Sequence, residues 1–244
     1  VRRHHNKLKL GHLAGNRFRI LLRHTNAEAA AHVASNLQFL GEHGAPNYFG
    51  EQRFGKRGAN LDKGLRILQG DNPKRASHTM PRRLFNLLIS AVQSEAFNRT
   101  LCARMQTPLA LDQLMPGDIA WIHQNGACFL IQDLAAEQAR HDRFEISPTG
   151  PLPGPKMLRP EGEMAELEDA VLRDLDLAVE MFGRMPRKTH EGARRPLRVP
   201  VLSPGVEVCA DGLRVAFQLP PGSYATTVLR ELLTTAPWFG SHPA

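Results

Sequence analysis

The sequence predicts an α+β fold in which one domain is interrupted by another. Two observations support this prediction. Strand patterns occur near both ends of the 244 residues with helical patterns dominating between them, and a polar break lies over residues 71–81. Such an order is typical of a mixed or antiparallel sheet domain that carries an α+β insertion. We place the interrupted domain at residues 1–72 and 199–244, and the insertion at residues 73–198.

The first elements follow from local patterns. Residues 17–23 alternate apolar and basic side chains, which predicts a half-buried strand with arginines on its open face. Asn26 is a suitable N-cap for the amphipathic helix that follows, and Gly44 is a suitable residue at its end. A Gly- and Pro-rich loop over residues 44–58 comes next, and leucines at helical spacing over residues 61–68 predict a short helix.

The insertion is expected to begin with a buried helix over residues 82–105, because that segment is apolar on most sides. A hairpin is predicted next, with strands near residues 119–122 and 128–131 around an Asn-Gly turn. Residues 147–160 hold five prolines, which predicts an irregular loop. An amphipathic helix is predicted over residues 163–182.

Strand patterns return toward the end of the chain. They cover residues 197–202, 206–209 and 213–219, with an Asp-Gly turn before the last of them. A helix is predicted over residues 225–233. These elements complete the interrupted domain.

The charge distribution favours a polyanionic partner. The formal net charge is +7 and the pI is about 9.8. Residues 1–27 contain seven Lys and Arg and no acid, whereas residues 161–180 form an acidic helical stretch. Such asymmetry is expected where one face meets phosphates. On composition alone, a merely basic protein explains the charge equally well.

Several classes of site find no support in the sequence. The three cysteines lie far apart, which argues against a disulfide framework or zinc knuckle and fits a reducing cytoplasm. No H-E-x-x-H or G-x-S-x-G motif occurs, and no apolar run approaches membrane-spanning length. Residues 50–57 nearly match a P-loop, but Arg57 stands where Mg²⁺ requires a Ser or Thr hydroxyl. We therefore expect no metal, no membrane association and no nucleotide hydrolysis.

The segment over residues 44–55 is the most unusual in the chain. Among its glycines it carries an amide, three aromatic rings and a guanidinium: Asn47, Tyr48, Phe49, Arg53 and Phe54. Aromatic faces stack on bases, an amide can pair with a uracil edge, and an arginine can meet a phosphate or orient a carboxylate. Aromatic residues in a turn more often fill a core, so these residue types are only suggestive by themselves.

This segment resembles the signature loop of the TruD family of tRNA pseudouridine synthases. Three further stretches resemble family segments in the family's order. Residues 5–18 are similar to the segment just downstream of its catalytic motif, and residues 90–98 to its "SA-x-x-S-x-x-FN" helix. Residues 217–232 are similar to its C-terminal strand, turn and helix. The resemblance spans nearly the whole chain and implies a pseudouridine-synthase-like catalytic domain with a TRUD insertion domain.

One family motif has no match in the sequence. In the family, the nucleophilic Asp lies in a "GLKD-x-x-A-x-T-x-Q" motif upstream of the segment that residues 5–18 resemble. Only Val-Arg-Arg precedes His4, and the chain does not start with Met. We therefore expect that the chain begins inside a longer protein, assign no catalytic residue within it, and expect it to be inactive alone.

The resemblance implies isomerisation of a uridine in tRNA to pseudouridine, at position 13 in this family, without a metal or cofactor. The implied partner is tRNA, the implied location is the cytoplasm, and a monomer is expected for the full-length enzyme. A non-catalytic RNA-binding module of the same fold is the alternative.

Motif position also implies residue roles. Asn47 would bind the uracil edge or its flanking backbone, Phe49 would wall the pocket, and Tyr224 would stack on the flipped base. Arg53 would orient the nucleophilic carboxylate, although an arginine in a Gly-rich loop can equally well bind backbone carbonyls. Other residues are expected to pack in the buried helix, with some hydrogen bonding of their polar groups: Ser94, Phe97 and Asn98. Basic side chains would hold tRNA phosphates without reading sequence: Lys7, Lys9, Arg17, Arg19, Arg184, Arg187, Lys188, Arg194, Arg195 and Arg198.

Overall fold

The structure is a computed structural model that describes residues 14–70, 73–107, 110–185 and 190–234. The described chain divides into two compact units. The first contains residues 14–45 and 199–234, and the second contains residues 46–198. Two short strands, β2 (Ala45–Pro46) and β7 (Arg198–Val199), mark the places where the chain passes between the units.

The first unit is built on a three-stranded antiparallel sheet in the order β1-β9-β8. Its strands are β1 (Asn16–Arg23), β8 (Leu202–Cys209) and β9 (Gly212–Leu219). Helix α1 (Ala27–His43) packs against β8 and against α8 (Ala225–Leu233). This unit therefore joins residues from both ends of the chain in one sheet.

The alternating pattern of β1 determines which face of the sheet is buried. Phe18 lies opposite Phe217 of β9, and their ring centroids are 5.5 Å apart on the apolar face. Arg17 and Arg19, one residue away on either side, are exposed on the opposite face. Because side chains alternate along a strand, the same eight residues supply a core contact and a basic surface.

Helix α1 begins and ends as the sequence predicts. The Oδ1 atom of Asn26 accepts a hydrogen bond from the N–H of Ala29 at 2.8 Å, which satisfies one free donor of the first turn. Gly44 follows the last turn with φ 84°, a backbone conformation that side chains with a Cβ rarely adopt. Its N–H donates to the carbonyl of Leu40 at 2.9 Å.

The second unit combines helices with a four-stranded antiparallel sheet in the order β4-β3-β5-β6. The strands are β3 (Ile119–Ile122), β4 (Cys128–Leu130), β5 (Ile146–Leu152) and β6 (Ala193–Pro196). The helices are α2 (Ala59–Gln69), α3 (Pro73–Thr79), α4 (Arg82–Met105), α5 (Leu134–Asp142), α6 (Gly162–Asp174) and α7 (Val179–Gly183). With the first unit's antiparallel sheet, this arrangement confirms the predicted α+β class.

Helix α4 is the central element of the second unit. It packs against α2, α6 and β5, and Phe85, Ile89, Val92 and Phe97 are at most 2% exposed. Gly64 of α2 allows the close approach, because a Cβ there would lie 2.3 Å from the carbonyl oxygen of Leu88. Most of the core of this unit is therefore organised around one helix.

Two buried ion pairs tie helices of this unit to its sheet and loops. Arg104 binds Asp118 at 3.0 Å with both side chains fully buried, and Arg194 binds Glu168 at 2.6 Å. Burial raises the pKa of both carboxyl groups, and the paired guanidinium groups oppose that shift. Each arginine therefore serves as an internal connector whose loss would leave a buried carboxylate unpaired.

Two predictions about the insertion were wrong. Residues 147–152 of the proline-rich segment belong to strand β5, which lies between β3 and β6, and only residues 153–160 are irregular as predicted. A strand accepts prolines at positions where no N–H is needed for pairing, and β5 divides its pairing: Ile146–Pro148 with β3 and Thr149–Leu152 with β6. The helix predicted over residues 163–182 is interrupted between α6 and α7, where Asp176 takes φ 52°.

The predicted domain boundaries stay predictions. The chain crosses between the structural units at residues 45–46 and 198–199, so helix α2 belongs to the second unit. The polar segment after Gly70, chosen as a boundary from its composition, contains helix α3 and lies within that unit.

Candidate functional site

The loop that contains Asn47, Tyr48 and Phe49 is short and lies in the second unit. It runs from the end of β2 at Pro46 to Gly50, where a 3₁₀ turn over Glu51–Arg53 begins. Asn47 and Phe49 are 3% and 8% exposed, whereas Tyr48 between them is half-buried. The chain therefore directs two of the predicted substrate-binding residues inward, toward groups that hold them in place.

Asn47 is bonded on both sides of its amide. Its backbone N–H donates to the carbonyl of Leu197 at 2.8 Å, and its Nδ2 donates to the carbonyl of Pro196 at 2.9 Å. Its Oδ1 accepts from Nη2 of Arg195 at 2.6 Å. One Nδ2 hydrogen and one Oδ1 lone pair are left by these bonds. Direct contact of Asn47 with uracil stays a prediction.

Phe49 is held through its backbone by one side chain of helix α4. Asn98 accepts from the N–H of Phe49 through Oδ1 at 2.9 Å and donates through Nδ2 to its carbonyl at 3.0 Å. The ring of Phe49 meets that of Phe97 edge-on, with centroids 5.5 Å apart and planes at 82°. Both the backbone and the ring of this residue are thus fixed by α4.

Two guanidinium groups contact the same aromatic ring. The Cζ of Arg195 lies 4.1 Å from the centroid of Phe49 and 5.4 Å from that of Phe97, and the Cζ of Arg53 lies 5.2 Å from Phe49. Cations within about 6 Å of a ring face are attracted by its quadrupole. The loop therefore combines an aromatic wall with two positive charges.

Arg53 is anchored at one end of its guanidinium. Its Nε donates to the hydroxyl of Ser94 at 3.1 Å, and that hydroxyl donates to the carbonyl of Ser90 at 2.8 Å. Within the part of the chain that the structure describes, no acceptor binds its Nη atoms. An arginine fixed in this way can present its Nη groups to a carboxylate or a phosphate. Its predicted role toward the nucleophile stays a prediction.

Helix α4, which contains the family-like segment over residues 90–98, contacts the loop through three side chains on one face. Ser94 and Asn98 are four residues apart, and Phe97 is three from Ser94, so all three lie close together on α4. Ser94 binds Arg53, Phe97 contacts the ring of Phe49, and Asn98 binds its backbone. The expectation that they pack in the helix is correct but incomplete, because their specific partners are predicted site residues.

The remaining predicted site residues lie in the first unit or outside the described residues. Tyr224 is half-buried at the N-terminus of α8, and its carbonyl accepts from the hydroxyl of Thr227 at 2.7 Å. Arg17 and Arg19 are exposed on β1. Lys7 and Lys9 lie outside the described residues.

The open face of the three-stranded sheet contains a shallow groove of about 480 Å³. Arg19 and Arg214 line it, together with Glu207. Arg214 forms an ion pair with Glu207 at 2.7 Å, whereas no described residue pairs with Arg19. The positive charge available on this face therefore comes from β1.

Two of the basic residues over 184–198 are buried and do not face phosphates as the sequence predicts, whereas Arg184 is exposed and its predicted role stays a prediction. Arg194 and Arg198 are 6% and 3% exposed, and Arg194 pairs with Glu168 inside the unit. Arg198 donates to the carbonyl of His141 and stacks on Phe144 with its Cζ 4.2 Å from the ring centroid. Charge count alone misled the prediction, since buried guanidinium groups cannot reach phosphates. Arg187 and Lys188 lie outside the described residues.

Other kinds of site have no counterpart in the described ranges. Those ranges contain no group of three or more His, Cys, Asp or Glu able to hold a metal ion, and no helix long and apolar enough to cross a membrane. The near-match to a P-loop forms two 3₁₀ turns, Glu51–Arg53 and Lys56–Gly58, that lead into α2. The strand before them, β2, has only two residues, and two 3₁₀ turns stand where a P-loop leads directly from a strand into a helix.

Sequence reasoning missed two residues that hold the loop together. Asn98 carried a usable signal, because its spacing from Ser94 places both on one face of a predicted helix. Arg195 carried none, since its contact with Asn47 joins residues 148 positions apart. Such a long-range contact leaves no periodicity in the sequence.

The chain is similar to known proteins over nearly its whole length. The family model described as tRNA pseudouridine synthase D (TruD) matches residues 1–74 and 65–232. A protein of that name from Geobacter sulfurreducens is 40% identical over 289 residues, covering 95% of this chain and 70% of the relative. Its namesake from Thermus thermophilus is 42% identical over 230 residues, covering 94% and 61%.

A solved structure has the same fold. The crystal structure of a protein from Methanosarcina mazei, described as a tRNA pseudouridine synthase D, superposes with a TM-score of 0.80 at 24% identity, covering 93% of this chain and 70% of that one. The match extends the α+β prediction to the predicted pseudouridine-synthase-like fold. Together with the family match and the relatives, it means that this chain belongs to the tRNA pseudouridine synthase D (TruD) family.

Proposed function

We propose that this protein is a tRNA pseudouridine synthase that isomerises a uridine in tRNA, at position 13, to pseudouridine. The reaction breaks the N1–C1′ bond of the uridine, turns the uracil and joins C5 to C1′; C5 then loses its proton and N1 gains one, so that the product is an isomer of the substrate. The single observation that supports a base-binding role most directly is the ring of Phe49, flanked by two guanidinium groups beside the amide of Asn47.

The residues of this chain would bind and orient the base. Phe49 would form a wall of the uracil pocket, Asn47 would bind the uracil edge or its flanking backbone, and Tyr224 would stack on the flipped base. Stacking of one base on an aromatic side chain contributes about 1–3 kcal/mol. Unstacking the target nucleotide costs about a few kcal/mol, so these contacts would offset part of that cost.

The nucleophilic carboxylate would come from the family's "GLKD-x-x-A-x-T-x-Q" motif. No part of the 244 residues matches this motif. An Asp carboxylate would act as nucleophile or electrostatic stabiliser, and Arg53 would orient it through its Nη groups. The proposal needs no metal or redox cofactor. We further propose that the protein acts in the cytoplasm and that the full-length enzyme is a monomer.

The basic surface of the first unit would hold the tRNA backbone. Arg17 and Arg19 project from one face of β1, and Lys7 and Lys9 are proposed for the same task from the sequence alone. Phosphate contacts position a nucleic acid without reading its sequence. Binding is therefore expected to weaken as salt concentration rises.

The test compares the 244-residue chain with a gene product that also carries the family's Asp motif. Each is incubated with tRNA, which is then analysed by pseudouridine-specific chemical tagging and mass spectrometry. We expect both to bind tRNA and only the protein with the Asp motif to form pseudouridine, at position 13. Pseudouridine from the 244-residue chain alone would contradict the assignment of the nucleophile.

A non-catalytic RNA-binding module is the second candidate, because the sequence contains no match to the Asp motif. The same experiment distinguishes it. Tight tRNA binding with no pseudouridine from either protein would favour the module over the enzyme.

A further inference from the structure

We infer that Arg195 is a positioning residue for the proposed base pocket, and that it does not hold phosphate. This inference rests on the proposed function, since it concerns the same loop. The basic residues around Arg195 suggest that it binds phosphate, whereas the inference gives it an internal, positioning role.

The hydrogen bonds of Arg195 point inward. Its Nη2 donates to Oδ1 of Asn47 at 2.6 Å and to the backbone carbonyl of Asn47 at 3.2 Å, and its Nε donates to that carbonyl at 3.3 Å. The planar guanidinium thus donates hydrogen bonds to both the side chain and the backbone of Asn47. A lysine ammonium could not make the same set of bonds in a fixed plane.

The plane of the same guanidinium covers aromatic rings. Its Cζ is 4.1 Å from the centroid of Phe49 and 5.4 Å from that of Phe97. Arg195 therefore contacts both of the loop residues predicted to bind uracil, one through hydrogen bonds and the other through its ring.

Arg195 sits on a rigid support. It belongs to β6, whose residues pair with β5, and Arg195 lies opposite Gly150. Its neighbour Arg194 is fixed by the buried pair with Glu168 at 2.6 Å. Strand β6 therefore anchors the loop to the four-stranded sheet through Arg195. Asn98 anchors the same loop to helix α4.

The consequence for the reaction follows from geometry. Asn98 holds the backbone of Phe49, and Arg195 holds the amide of Asn47, so the two residues have fixed relative positions. Losing the Arg195 bonds would leave Phe49 attached to α4, while the side chain of Asn47 would keep only its bond from Nδ2 to the carbonyl of Pro196 and its Oδ1 would be free to move. A displacement of about 1 Å at a positioning contact can lower turnover roughly 100-fold. Affinity for tRNA, which depends mainly on phosphate contacts, would be little changed.

The test uses a protein that joins this chain to the family's Asp motif, with Arg195→Lys compared against Arg99→Lys. Arg99 lies on α4, is 45% exposed in its side chain and pairs only with Glu95 at 2.8 Å among described residues. Single-turnover pseudouridine formation and tRNA affinity are measured for each variant. We expect Arg195→Lys to lower the single-turnover rate by about 10- to 100-fold with unchanged affinity, and Arg99→Lys to change neither.

A merely structural or phosphate-binding role gives different results. If affinity weakens in step with the rate, Arg195 holds phosphate and the inference is wrong; an unchanged rate overturns it equally. Should Arg195→Lys fail to fold, Arg195→Met, whose unbranched side chain can pack on the same rings, is judged by the same rate and affinity.

Hydrogen exchange separates this inference from the proposed function. The peptide that contains residues 46–50 should exchange faster in Arg195→Lys than in the unchanged protein, whether or not pseudouridine forms. An unchanged protein that makes no pseudouridine would contradict the proposed function alone. Identical exchange in the two proteins would overturn the positioning role.

Discussion

The arginines of the two units differ in what surrounds them. On the sheet of the first unit, Arg17 and Arg19 are exposed and point away from the core. In the second unit, Arg194 is 6% exposed and paired with a carboxylate, and Arg195 is bonded to Asn47 and stacked on Phe49. The same residue type therefore provides surface charge in one unit and internal geometry in the other.

This difference explains why a basic sequence alone is a poor guide to an RNA-binding surface. A guanidinium desolvated by a carboxylate or a ring contributes little potential at the surface, whereas an exposed one attracts phosphate over roughly a Debye length. The positive net charge thus divides into a part available to tRNA and a part used to hold the fold. Variants of individual arginines should separate the two parts.

The largest effect is expected from Arg194→Ala. Removing one partner of a buried ion pair leaves Glu168, which is 3% exposed, without its counter-charge. The loss in the free energy of unfolding should be about 3–5 kcal/mol, measured by urea denaturation. A loss no larger than that of an exposed arginine would show that Arg194 does not connect α6 to the sheet.

A pH-dependent loss of stability should come from the second unit. Burial lowers the pKa of His190 and of His141 to about 4, from an ordinary value of 6.5. The unfolded chain therefore binds more protons than the folded one between these values, so stability is full above pH 6.5 and falls as the pH drops toward 4. Each group would contribute on the order of 3 kcal/mol over that window.

His190→Leu tests this contribution, since both ring nitrogens of His190 are buried and find no hydrogen-bond partner among the described residues. The variant should show a shallower decline in unfolding free energy between pH 6.5 and pH 4. A decline as steep as that of the unchanged chain would mean that His190 is not the group that titrates.

A smaller effect is expected from Asn98→Ala. The substitution removes two hydrogen bonds, which Asn98 makes with the N–H and the carbonyl of Phe49, and losing such bonds to buried backbone groups costs about 1–3 kcal/mol. The matched control is Asn125→Ala in the exposed hairpin turn, where Oδ1 accepts from Ala127 at 2.9 Å. Thermal denaturation should rank Asn98→Ala as the more destabilising change, and the reverse order would contradict the fixed loop.

The smallest effect on stability is expected from Arg19→Ala. Arg19 is exposed, and no described residue pairs with it, so the free energy of unfolding should change by less than about 0.5 kcal/mol. Urea denaturation beside Arg194→Ala gives the comparison directly. A large loss from Arg19→Ala would remove the distinction between the two groups of arginines.

Local patterns predicted most regular elements. The alternation of β1, the Asn26 cap of α1, the apolar surface of α4 and the Asp-Gly turn before β9 each have a short-range physical cause. Strand β5 was missed because prolines oppose a strand locally, and only the division of its pairing between β3 and β6 makes them acceptable.

The sequence predicted which loop residues belong to the candidate site, and it did not predict which residues bind them. The loop residues Asn47, Phe49 and Arg53 were identified because amide, ring and guanidinium groups are concentrated among glycines. Their hydrogen-bond partners are distant in sequence: Asn98 lies 49 positions from Phe49, and Arg195 lies 148 positions from Asn47. Contacts over such separations depend on the packing of α4 and β6, which no local pattern encodes.

The most direct test of the central claim is the salt dependence of tRNA binding for Arg19→Ala and Arg195→Ala, measured side by side. If Arg19 neutralises a phosphate, its loss should make the slope of log affinity against log salt shallower by roughly 0.7–0.9. Arg195→Ala should leave that slope unchanged, because its guanidinium faces Asn47 and Phe49. A shallower slope for Arg195→Ala with none for Arg19→Ala would contradict the division between surface and positioning arginines.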